Sequence, residues 1–323
     1  MKKIFIYSII VAVLTSCSTK SEKETVKEDR KDLAVPAFNP ERAYQYIADQ
    51  VAFGPRVPNT SPHRQTEDYL IKQLESFGAS VVTQKFDADT YDGEVWKLTN
   101  IIGSILPEKK RRILLAAHWD TRKVADKDTE RQNEPIDGAN DGASGVGLIM
   151  EVLRTIQAAE NKPEVGIDII FFDGEDNGKP GQGGDPKWWC LGSQYWSQNK
   201  HIPGYSAYYG ILFDMVGAEG GQFHKEGYSM EFAPSIVNKV WNAAERIGYG
   251  QYFRSSEVGG ITDDHYFVNV NAKIPMIDII AHDPLSNDFF PDYHHRHKDN
   301  MDIISKETLK AVGQTTLQVI YEE

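Results

Sequence analysis

Two adjacent carboxylates end an apolar stretch in the segment FFDGEDNG, which covers residues 171–178. On an extended chain, the side chains of neighbouring residues point to opposite sides. Glu175 and Asp176 could therefore divide two tasks between them, one as a proton carrier and the other as a ligand. Two solvated loop charges would have the same sequence, so the octapeptide alone leaves both interpretations open.

Other polar residues stand where apolar segments end. His118 and Asp120 follow one such segment and Asp214 another, while Asp141 lies in the glycine-rich turn DGANDGASG. Residues two apart on a strand share a face, so Asp120 can orient the imidazole of His118. A single histidine at a strand end would more often be structural. Together with the run YHHRHKDNMD at residues 293–302, these residues predict a zinc site of the histidine and carboxylate type with an open coordination position.

Several other chemistries are disfavoured. The glycine-rich turn has no Lys followed by Ser or Thr and lacks the spacing GxGxxG, which argues against a phosphate-binding loop. GASGVG also lacks the GxSxG form of a serine hydrolase. The formal net charge of -12 argues against binding to nucleic acid, because an acidic surface repels the phosphate backbone.

Alternating strands and helices must position these residues. Six apolar segments predict strands, several of them without polar alternation, as expected where both faces of a sheet are covered: SVVTQKFDA, TNIIGSI, RRILLAAHW, VGIDIIFFDG, YGILFDMVGA and IPMIDIIAH. Helical patterns are predicted at residues 39–56, 61–78, 142–159, 235–248 and 305–323. This order predicts an α/β three-layer sandwich, with a mixed, mostly parallel central sheet and helices on both faces. Ligands bind beyond the carboxyl ends of such strands.

The N-terminal region predicts export. Residues 1–16 have the Lys pair and short apolar stretch of a signal peptide, and LTSC resembles a bacterial lipobox, which implies a lipid on Cys17. A plain signal peptide is the alternative. Residues 17–34 carry both charge signs and no aromatic residue, so we expect a disordered tether before one catalytic domain at 35–323. The expected location is the bacterial cell envelope, lipid-anchored and facing the periplasm. Only Cys190 then remains, so no internal disulfide is expected.

Seven ordered blocks resemble one protein family, peptidase family M28, which comprises zinc-dependent aminopeptidases. Animal-type (type II) glutaminyl cyclases are close relatives of this family, and they resemble the chain most. The blocks are AAHWDTR, DGANDGASGVG, FFDGEDNG, LGSQYW, FDMVGA, TDDHYF and HHRHKDNMD. The resemblance extends from residue 53 through the last predicted helix, and it implies a zinc exopeptidase-like fold.

The resemblance also implies a catalytic zinc ion with three protein ligands, namely Asp141, Asp176 and His295. Glu175 matches the family's general acid and base. Asp176 departs from the usual glutamate, and its shorter side chain requires a closer backbone or looser coordination. His295 is preferred to His294 and His297 because HRHKDN matches the family's HTxxDx.

Two activities remain open on this scaffold. An aminopeptidase would use two zinc ions, with His118 and Asp214 completing the second site, Asp141 bridging, and water attacking the first peptide bond. A cyclase would use one zinc ion. In the cyclase, the α-amine of an N-terminal Gln attacks its own side-chain amide carbonyl, which closes a lactam and releases ammonia. Glu175 would take a proton from the amine and return it to the leaving ammonia.

Three features favour the cyclase. Asp263 in TDDHYF stands where aminopeptidases usually have Ser, and in cyclases the matching Asp joins an acidic hydrogen-bond network with the residue matched by Asp214. Trp188 and Trp189 stand where cyclases use Trp to wall the glutaminyl pocket. Helix capping by Asp263 or its neighbour, and core packing of the Trp pair, are the structural alternatives. Lastly, Glu175 is followed by Asp176 where the family usually has a second Glu, and the whole pattern looks like that of exported cyclases from Bacteroidetes-like bacteria.

The expected protein is thus a monomeric glutaminyl-peptide cyclotransferase with one zinc ion, acting on peptides or proteins with an N-terminal Gln. Asp278 and His294 are further candidates for substrate binding. The alternative is an aminopeptidase with two zinc ions. A third class, a metal-dependent binding lipoprotein without activity, is disfavoured because Glu175 and the three ligand candidates are all present.

Overall fold

The computed structural model describes Met1 and residues 34–180 and 185–323. Residues Ala34–Glu323 form one compact unit. Residues 2–33 lie outside the described residues. They include most of the predicted signal peptide, Cys17 and all but the last residue of the predicted tether, so these assignments stay predictions. In the described part of the chain, no helix combines the length and hydropathy needed to cross a membrane.

The central sheet contains all six strands predicted from the sequence. In chain order they are β1 (Ser80–Asp89), β2 (Val95–Ile105), β3 (Arg112–His118), β4 (Gly166–Phe172), β5 (Tyr209–Asp214) and, after two further short strands, β8 (Met276–Ile280). The spatial order is β1-β2-β4-β3-β5-β8. The pairs β1–β2 and β2–β4 are antiparallel, whereas β4–β3, β3–β5 and β5–β8 are parallel. The predicted mixed, mostly parallel sheet is therefore confirmed.

The two short strands and several short helices were not predicted. β6 (Phe223–Lys225) and β7 (Phe253–Glu257) form a separate parallel pair. The helices of the described chain are α1 (Pro40–Val51), α2 (Ser61–Ser76), α3 (Ala143–Ala158), α4 (Leu191–Gln198), α5 (Gly227–Phe232), α6 (Pro234–Arg246), α7 (Asp264–Phe267) and α8 (Lys306–Tyr321). The predicted five correspond to α1, α2, α3, α6 and α8.

The strands send alternate side chains into two different cores, because successive residues on a strand point to opposite faces. On β3, Ile113, Leu115 and Ala117 pack in a large cluster that also contains residues of α1, α2, α3, α6 and α8. Leu114 and Ala116 pack on the other face, in a cluster that includes Trp196 of α4. Helices cover both faces of the sheet, so the predicted three-layer architecture is confirmed.

The parallel strands β4, β3 and β5 end at one edge of the sheet. His118 at the end of β3 pairs with Phe172 at the end of β4, and Asp214 ends β5. Just past β4, Asp173 is buried and accepts hydrogen bonds from the backbone N–H of Thr99, at 2.6 Å, and from His63, at 2.9 Å. The turn that follows β4 is thereby anchored to a neighbouring strand and to α2.

Close packing of α3 against the sheet positions the glycine-rich turn at the same edge. A Cβ on Gly145 would lie 2.1 Å from the carbonyl oxygen of Phe213, so only glycine allows the helix to approach this closely. Gly142 has φ 97, and a Cβ there would lie 2.6 Å from the carbonyl oxygen of Asp120. The turn that carries Asp141 therefore lies directly beside the ends of β3 and β5.

Candidate active site

A cavity of about 250 Å³ opens at the carboxyl edge of the parallel strands. Its lining includes seven of the residues predicted from the sequence: Asp141, Glu175, Trp189, Asp214, Asp263, His294 and His295. Phe290, Ile261, Ile280 and Met215 contribute apolar surface. An enclosed cavity with apolar walls and a few convergent polar groups is the usual form of a small-molecule or peptide-end site.

Beside this cavity, ligand atoms of Asp141, His294 and His295 lie within 4.8 Å of one another, and the third predicted ligand, Asp176, is linked to this group through His295. The Nε2 atom of His295 lies 3.3 Å from Oδ1 of Asp176 and 3.8 Å from Oδ2 of Asp141. All three side chains are buried. Asp176 Oδ2 is also buried and has no hydrogen-bond partner among the described residues. A buried carboxylate oxygen without a partner is costly unless a cation faces it, so two carboxylates and one imidazole in this arrangement fit a zinc ion.

The backbone of His295 is held in a strained conformation. Its φ is 58, in the left-handed region that non-glycine residues rarely adopt. Such strain persists only where the surroundings fix it, and it is concentrated at functional sites. The Nδ1 atom of His295 lies 3.5 Å from Oδ1 of Asp126, and a carboxylate at this place orients a metal-binding imidazole. Nothing in the spacing of Asp126 in the sequence indicates this role.

The adjacent carboxylates of the pair Glu175 and Asp176 face different partners. Both backbone N–H groups are held by Asp120, at 3.1 and 3.3 Å from its two carboxylate oxygens. Asp176 faces His295, whereas Glu175 accepts a hydrogen bond from the thiol of Cys190 at 3.3 Å. Burial raises the pKa of Glu175 well above its ordinary value, and the negative charges of nearby carboxylates add to this shift. A raised pKa makes Glu175 a stronger base than an ordinary carboxylate, which suits a proton carrier.

His118, Asp141 and Asp214 form a second group of converging atoms. The Nε2 atom of His118 lies 3.1 Å from Asp141 and 3.3 Å from Asp214, and its Nδ1 atom lies 3.5 Å from Asp120. Burial raises the pKa of Asp214 to about 7, although the hydrogen bond with His118 acts in the opposite direction. These distances suit a second metal ion, and they equally suit a hydrogen-bonded cluster with a shared proton.

Asp263 has the capping role that was the structural alternative, and its predicted hydrogen-bond network with Asp214 stays a prediction. Its side chain caps α7 by accepting a hydrogen bond from the backbone N–H of Asp264 at 2.5 Å, and it also lines the cavity. Asp278, in contrast, is fully buried and stands outside the lining that the described residues form. It lies 3.8 Å from His265, and burial raises its pKa well above the ordinary value. Asp278 was predicted to bind substrate. In the structure it lies deeper on β8 than Ile280, which does line the cavity.

The two tryptophans of KWWC differ in position. Trp189 lines the cavity, and its ring is nearly parallel to that of His295, at 13° with 6.1 Å between centroids. Trp188 stands apart from the described cavity lining, and the ammonium group of Lys187 lies 4.6 Å from the centre of its ring. Of the two candidates for the pocket wall, Trp189 is therefore the one in the described lining, and its contact with substrate stays a prediction. Which of two adjacent loop side chains faces a cavity is not encoded in their spacing.

The histidines around His295 have separate partners. His294 lines the cavity, packs 4.2 Å from the ring of Phe290 and accepts a hydrogen bond on Nδ1 from Lys127 at 2.5 Å. Burial, followed by the charge of His295, lowers the pKa of His294 well below the ordinary value. His297 turns away and pairs with Asp128 at 2.7 Å. Both His294 and His295 lie in one candidate metal-binding group with Asp141, so the choice of His295 as the ligand stays a prediction.

Two buried charged residues that support the ligands were not singled out from the sequence. Asp299 accepts hydrogen bonds from the backbone N–H groups of Asn140, at 2.7 Å, and Asp141, at 3.0 Å, which fixes the glycine-rich turn. Arg122 donates to Asp126 at 2.6 Å and to Asp176 at 2.9 Å. Asp299 lies in the HHRHKDNMD block and Arg122 in the AAHWDTR block, but the sequence cannot reveal that either side chain is buried.

Comparison with known proteins gives a consistent set of relatives. The model of peptidase family M28 matches residues 100–320. A solved glutaminyl cyclase from Bacteroides thetaiotaomicron is 54% identical, with a TM-score of 0.86, over 90% of this chain and 99% of its own. A Zn-dependent exopeptidase from Parabacteroides distasonis is 50% identical, with a TM-score of 0.87, over 90% of this chain and 100% of its own. The glutaminyl-peptide cyclotransferase of Dictyostelium discoideum is 23% identical over 80% of this chain and 78% of its own length.

We expect Zn²⁺ to stabilise the protein through His295. Protein stripped of metal with a chelator should unfold at a higher temperature after Zn²⁺ is added, by an amount that corresponds to about 2.7 kcal/mol when zinc exceeds the dissociation constant a hundredfold. His295→Gln should remove most of this increase, because one of three ligands is lost. His297→Gln is the matched control and should retain it, since His297 binds Asp128 instead. Differential scanning calorimetry measures both; full zinc stabilisation of the His295→Gln variant would exclude His295 as a ligand.

Proposed function

The chain belongs to peptidase family M28, and we propose that it is a glutaminyl-peptide cyclotransferase that converts an N-terminal Gln to pyroglutamate with release of ammonia. One observation carries this function. In a chain that is 54% identical to a bacterial glutaminyl cyclase, a partly buried acid with a raised pKa lines an open cavity beside the candidate metal-binding set.

The metal centre comes from three side chains. Asp141, Asp176 and His295 would hold one zinc ion, and the ion when bound polarises the side-chain amide carbonyl of the substrate. Support for a single ion comes from His118, which reaches Asp141 and Asp214 through one nitrogen atom. A proton on that nitrogen offsets one of the two carboxylate charges without a second ion.

Glu175 moves the protons of the reaction. The substrate α-amine has an ordinary pKa of about 7.7 to 8, so it is largely protonated at neutral pH and must lose a proton before it can attack. Glu175 has a raised pKa and is therefore a suitable base for this step. The amine nitrogen then bonds to the side-chain carbonyl carbon, and the bond from that carbon to the amide nitrogen breaks. Glu175 returns its proton to this nitrogen, which leaves as ammonia. The attacking nitrogen loses its second proton to the released ammonia, so the products are the lactam and an ammonium ion.

The cavity walls orient the substrate. Asp214 and Asp263 place negative charge on the lining, which favours a positively charged N-terminus over an anionic group. Trp189, Phe290 and His294 form a mainly apolar wall for the Gln side chain. Because the nucleophile belongs to the substrate itself, holding it near the carbonyl carbon can supply an effective molarity of roughly 10⁵ M or more. The enzyme therefore needs to fold the substrate end back on itself and to limit access of water.

Product analysis distinguishes cyclisation from hydrolysis. With zinc bound, we expect the peptide Gln-Ala to lose the mass of one ammonia molecule, and we expect Leu-Ala to remain unchanged. Mass spectrometry of both reactions measures this directly. Free leucine released from Leu-Ala at a comparable rate would instead identify an aminopeptidase, for which His118 and Asp214 would bind a second zinc ion.

Glu175→Gln should separate proton transfer from metal binding. The amide keeps the shape of the side chain but cannot accept the proton, so kcat should fall by about two to four orders of magnitude. Zinc content, measured by atomic emission, should not change because Glu175 is not among the ligands. Glu257→Gln is an exposed control of the same chemistry and should have the original kcat. Near-normal turnover by Glu175→Gln would refute the role of Glu175.

We also propose that the protein is a monomer anchored in the cell envelope through a lipid on Cys17, with its catalytic domain facing the periplasm and acting on exported peptides or proteins with an N-terminal Gln. The support is the LTSC segment and the charged stretch after it. Cys17→Ser should move the full-length protein from the membrane fraction to the soluble fraction of bacterial lysates, because the thiol carries the lipid. Immunoblotting of both fractions measures this. A variant that stays in the membrane fraction would contradict the anchor at Cys17.

A further inference from the structure

The guanidinium group of Arg122 lies beside the predicted zinc ligands Asp141, Asp176 and His295, and contacts Asp176 directly. The proposed reaction does not itself use this cation. Its side chain is buried and every nitrogen has a partner among the described residues. Nε donates to Asp126 Oδ1 at 2.6 Å, Nη1 donates to Asp176 Oδ1 at 2.9 Å, and Nη2 donates to the carbonyl oxygen of Gly178 at 3.0 Å. The planar guanidinium presents these donors in a fixed arrangement, which a lysine cannot reproduce.

One contact of Arg122 sets the orientation of the ligand Asp176. Because Nη1 holds Oδ1, the carboxylate group cannot rotate freely, and Oδ2 becomes the oxygen that has no partner in the described chain. Oδ1, the oxygen that lies 3.3 Å from Nε2 of His295, is thus the oxygen whose position Arg122 fixes. Asp176 has one methylene fewer than a glutamate, so it has less freedom to adjust its reach. An external donor that fixes its direction is correspondingly more important.

A second contact reaches the ligand His295 through Asp126. The oxygen of Asp126 that accepts from Arg122 Nε also lies 3.5 Å from Nδ1 of His295. In addition, the guanidinium carbon lies 5.1 Å from the centre of the Trp189 ring, and that ring is nearly parallel to the ring of His295. One cation therefore touches a carboxylate ligand, the carboxylate partner of an imidazole ligand, and the cavity wall beside that imidazole.

We propose that Arg122 is a positioning residue that pre-sets two zinc ligands, Asp176 directly and His295 through Asp126, before the metal binds. The proposal rests on the metal centre of the proposed function and deepens it by assigning the group that orients that centre. Without Arg122, the Asp176 carboxylate can rotate toward other partners, and Asp126 loses the cation that fixes it. Metal binding would then have to order both side chains, and the free-energy cost of this ordering would weaken the affinity for zinc.

A purely structural role is the alternative, and the chain contains a matched control for it. Arg112, at the start of β3, also binds a carboxylate through two nitrogens, with both contacts to Asp168 at 2.7 Å. It donates further hydrogen bonds to backbone carbonyl oxygens, including that of Ile167 at 3.0 Å. Arg112 therefore resembles Arg122 in chemistry, but it stands at the opposite end of the strand from the metal-binding set. Loss of either arginine should destabilise the fold, whereas only loss of Arg122 should weaken zinc binding.

The test measures zinc affinity without substrate. Metal-free wild type, Arg122→Met, Arg122→Lys and Arg112→Met are titrated with Zn²⁺ in competition with a chromophoric chelator, and their unfolding midpoints are measured in urea. We expect Arg122→Met to bind zinc about 10- to 100-fold more weakly, the usual effect of removing a partner of a metal ligand. Arg122→Lys should recover part of the affinity, because its single ammonium group can hold one carboxylate. Arg112→Met should lose stability and keep the affinity of the wild type.

Wild-type zinc affinity in Arg122→Met would overturn the proposal, whatever the loss of stability. If Arg122→Met does not fold, Asp126→Asn and Arg122→Lys decide the question. Each should bind zinc more weakly than wild type, and unchanged affinity in both would reject the positioning role. Failure of the proposed function would be seen differently. If zinc binding depends on Arg122 as expected but the wild-type protein leaves Gln-Ala unchanged, the positioning role of Arg122 stands and the cyclase activity is refuted.

Discussion

The active site depends on burying several carboxylates at one edge of a parallel sheet. Removing a carboxylate from water costs several kcal/mol unless a cation or a proton compensates its charge. The chain uses both kinds of compensation. Arg122 lies against Asp176 at 2.9 Å and His118 against Asp141 at 3.1 Å, while burial raises the pKa of Asp214 to about 7, so that it can share a proton. A metal ion bound at Asp141, Asp176 and His295 would compensate carboxylate charge in the same way, with the difference that it can also bind substrate.

The ligands are fixed through their backbones as well as through their side chains. Asp120 accepts hydrogen bonds from the N–H groups of Glu175 and Asp176, and Asp299 accepts those of Asn140 and Asp141. An ionised acceptor makes stronger bonds to N–H groups than a neutral one does. Two carboxylates outside the cavity therefore hold the two turns that carry the carboxylate ligands. This arrangement explains why acidic residues are concentrated at the strand ends although only a few of them face the cavity.

The sequence predicted the long elements and the edge at which the site forms, for identifiable reasons. Apolar runs such as VGIDIIFFDG can only be buried strands, and parallel strands place their carboxyl ends together. β6, with three residues, and α7, with four, are too short for a periodic pattern. Arg122 and Asp126 were missed because a charged residue is ordinarily taken as exposed. Their burial depends on contacts with residues 54 and 169 positions away in the chain, Asp176 and His295.

The adjacency of Glu175 and Asp176 follows from the chemistry. Asp176 must stay ionised to bind a metal, and although burial raises its pKa, His295 and Arg122 hold that pKa below its ordinary value. Glu175 must exchange a proton, and burial near other carboxylates raises its pKa. Two neighbouring acids can meet these opposite demands only if they face different surroundings. The turn after β4, in which the backbone N–H of Asn177 donates to the carbonyl oxygen of Glu175 at 3.0 Å, gives each side chain its own partners. Because Asp120 holds both peptide N–H groups, the metal-binding oxygen and the proton carrier keep a fixed separation, which is what a reaction between two ends of one substrate residue requires.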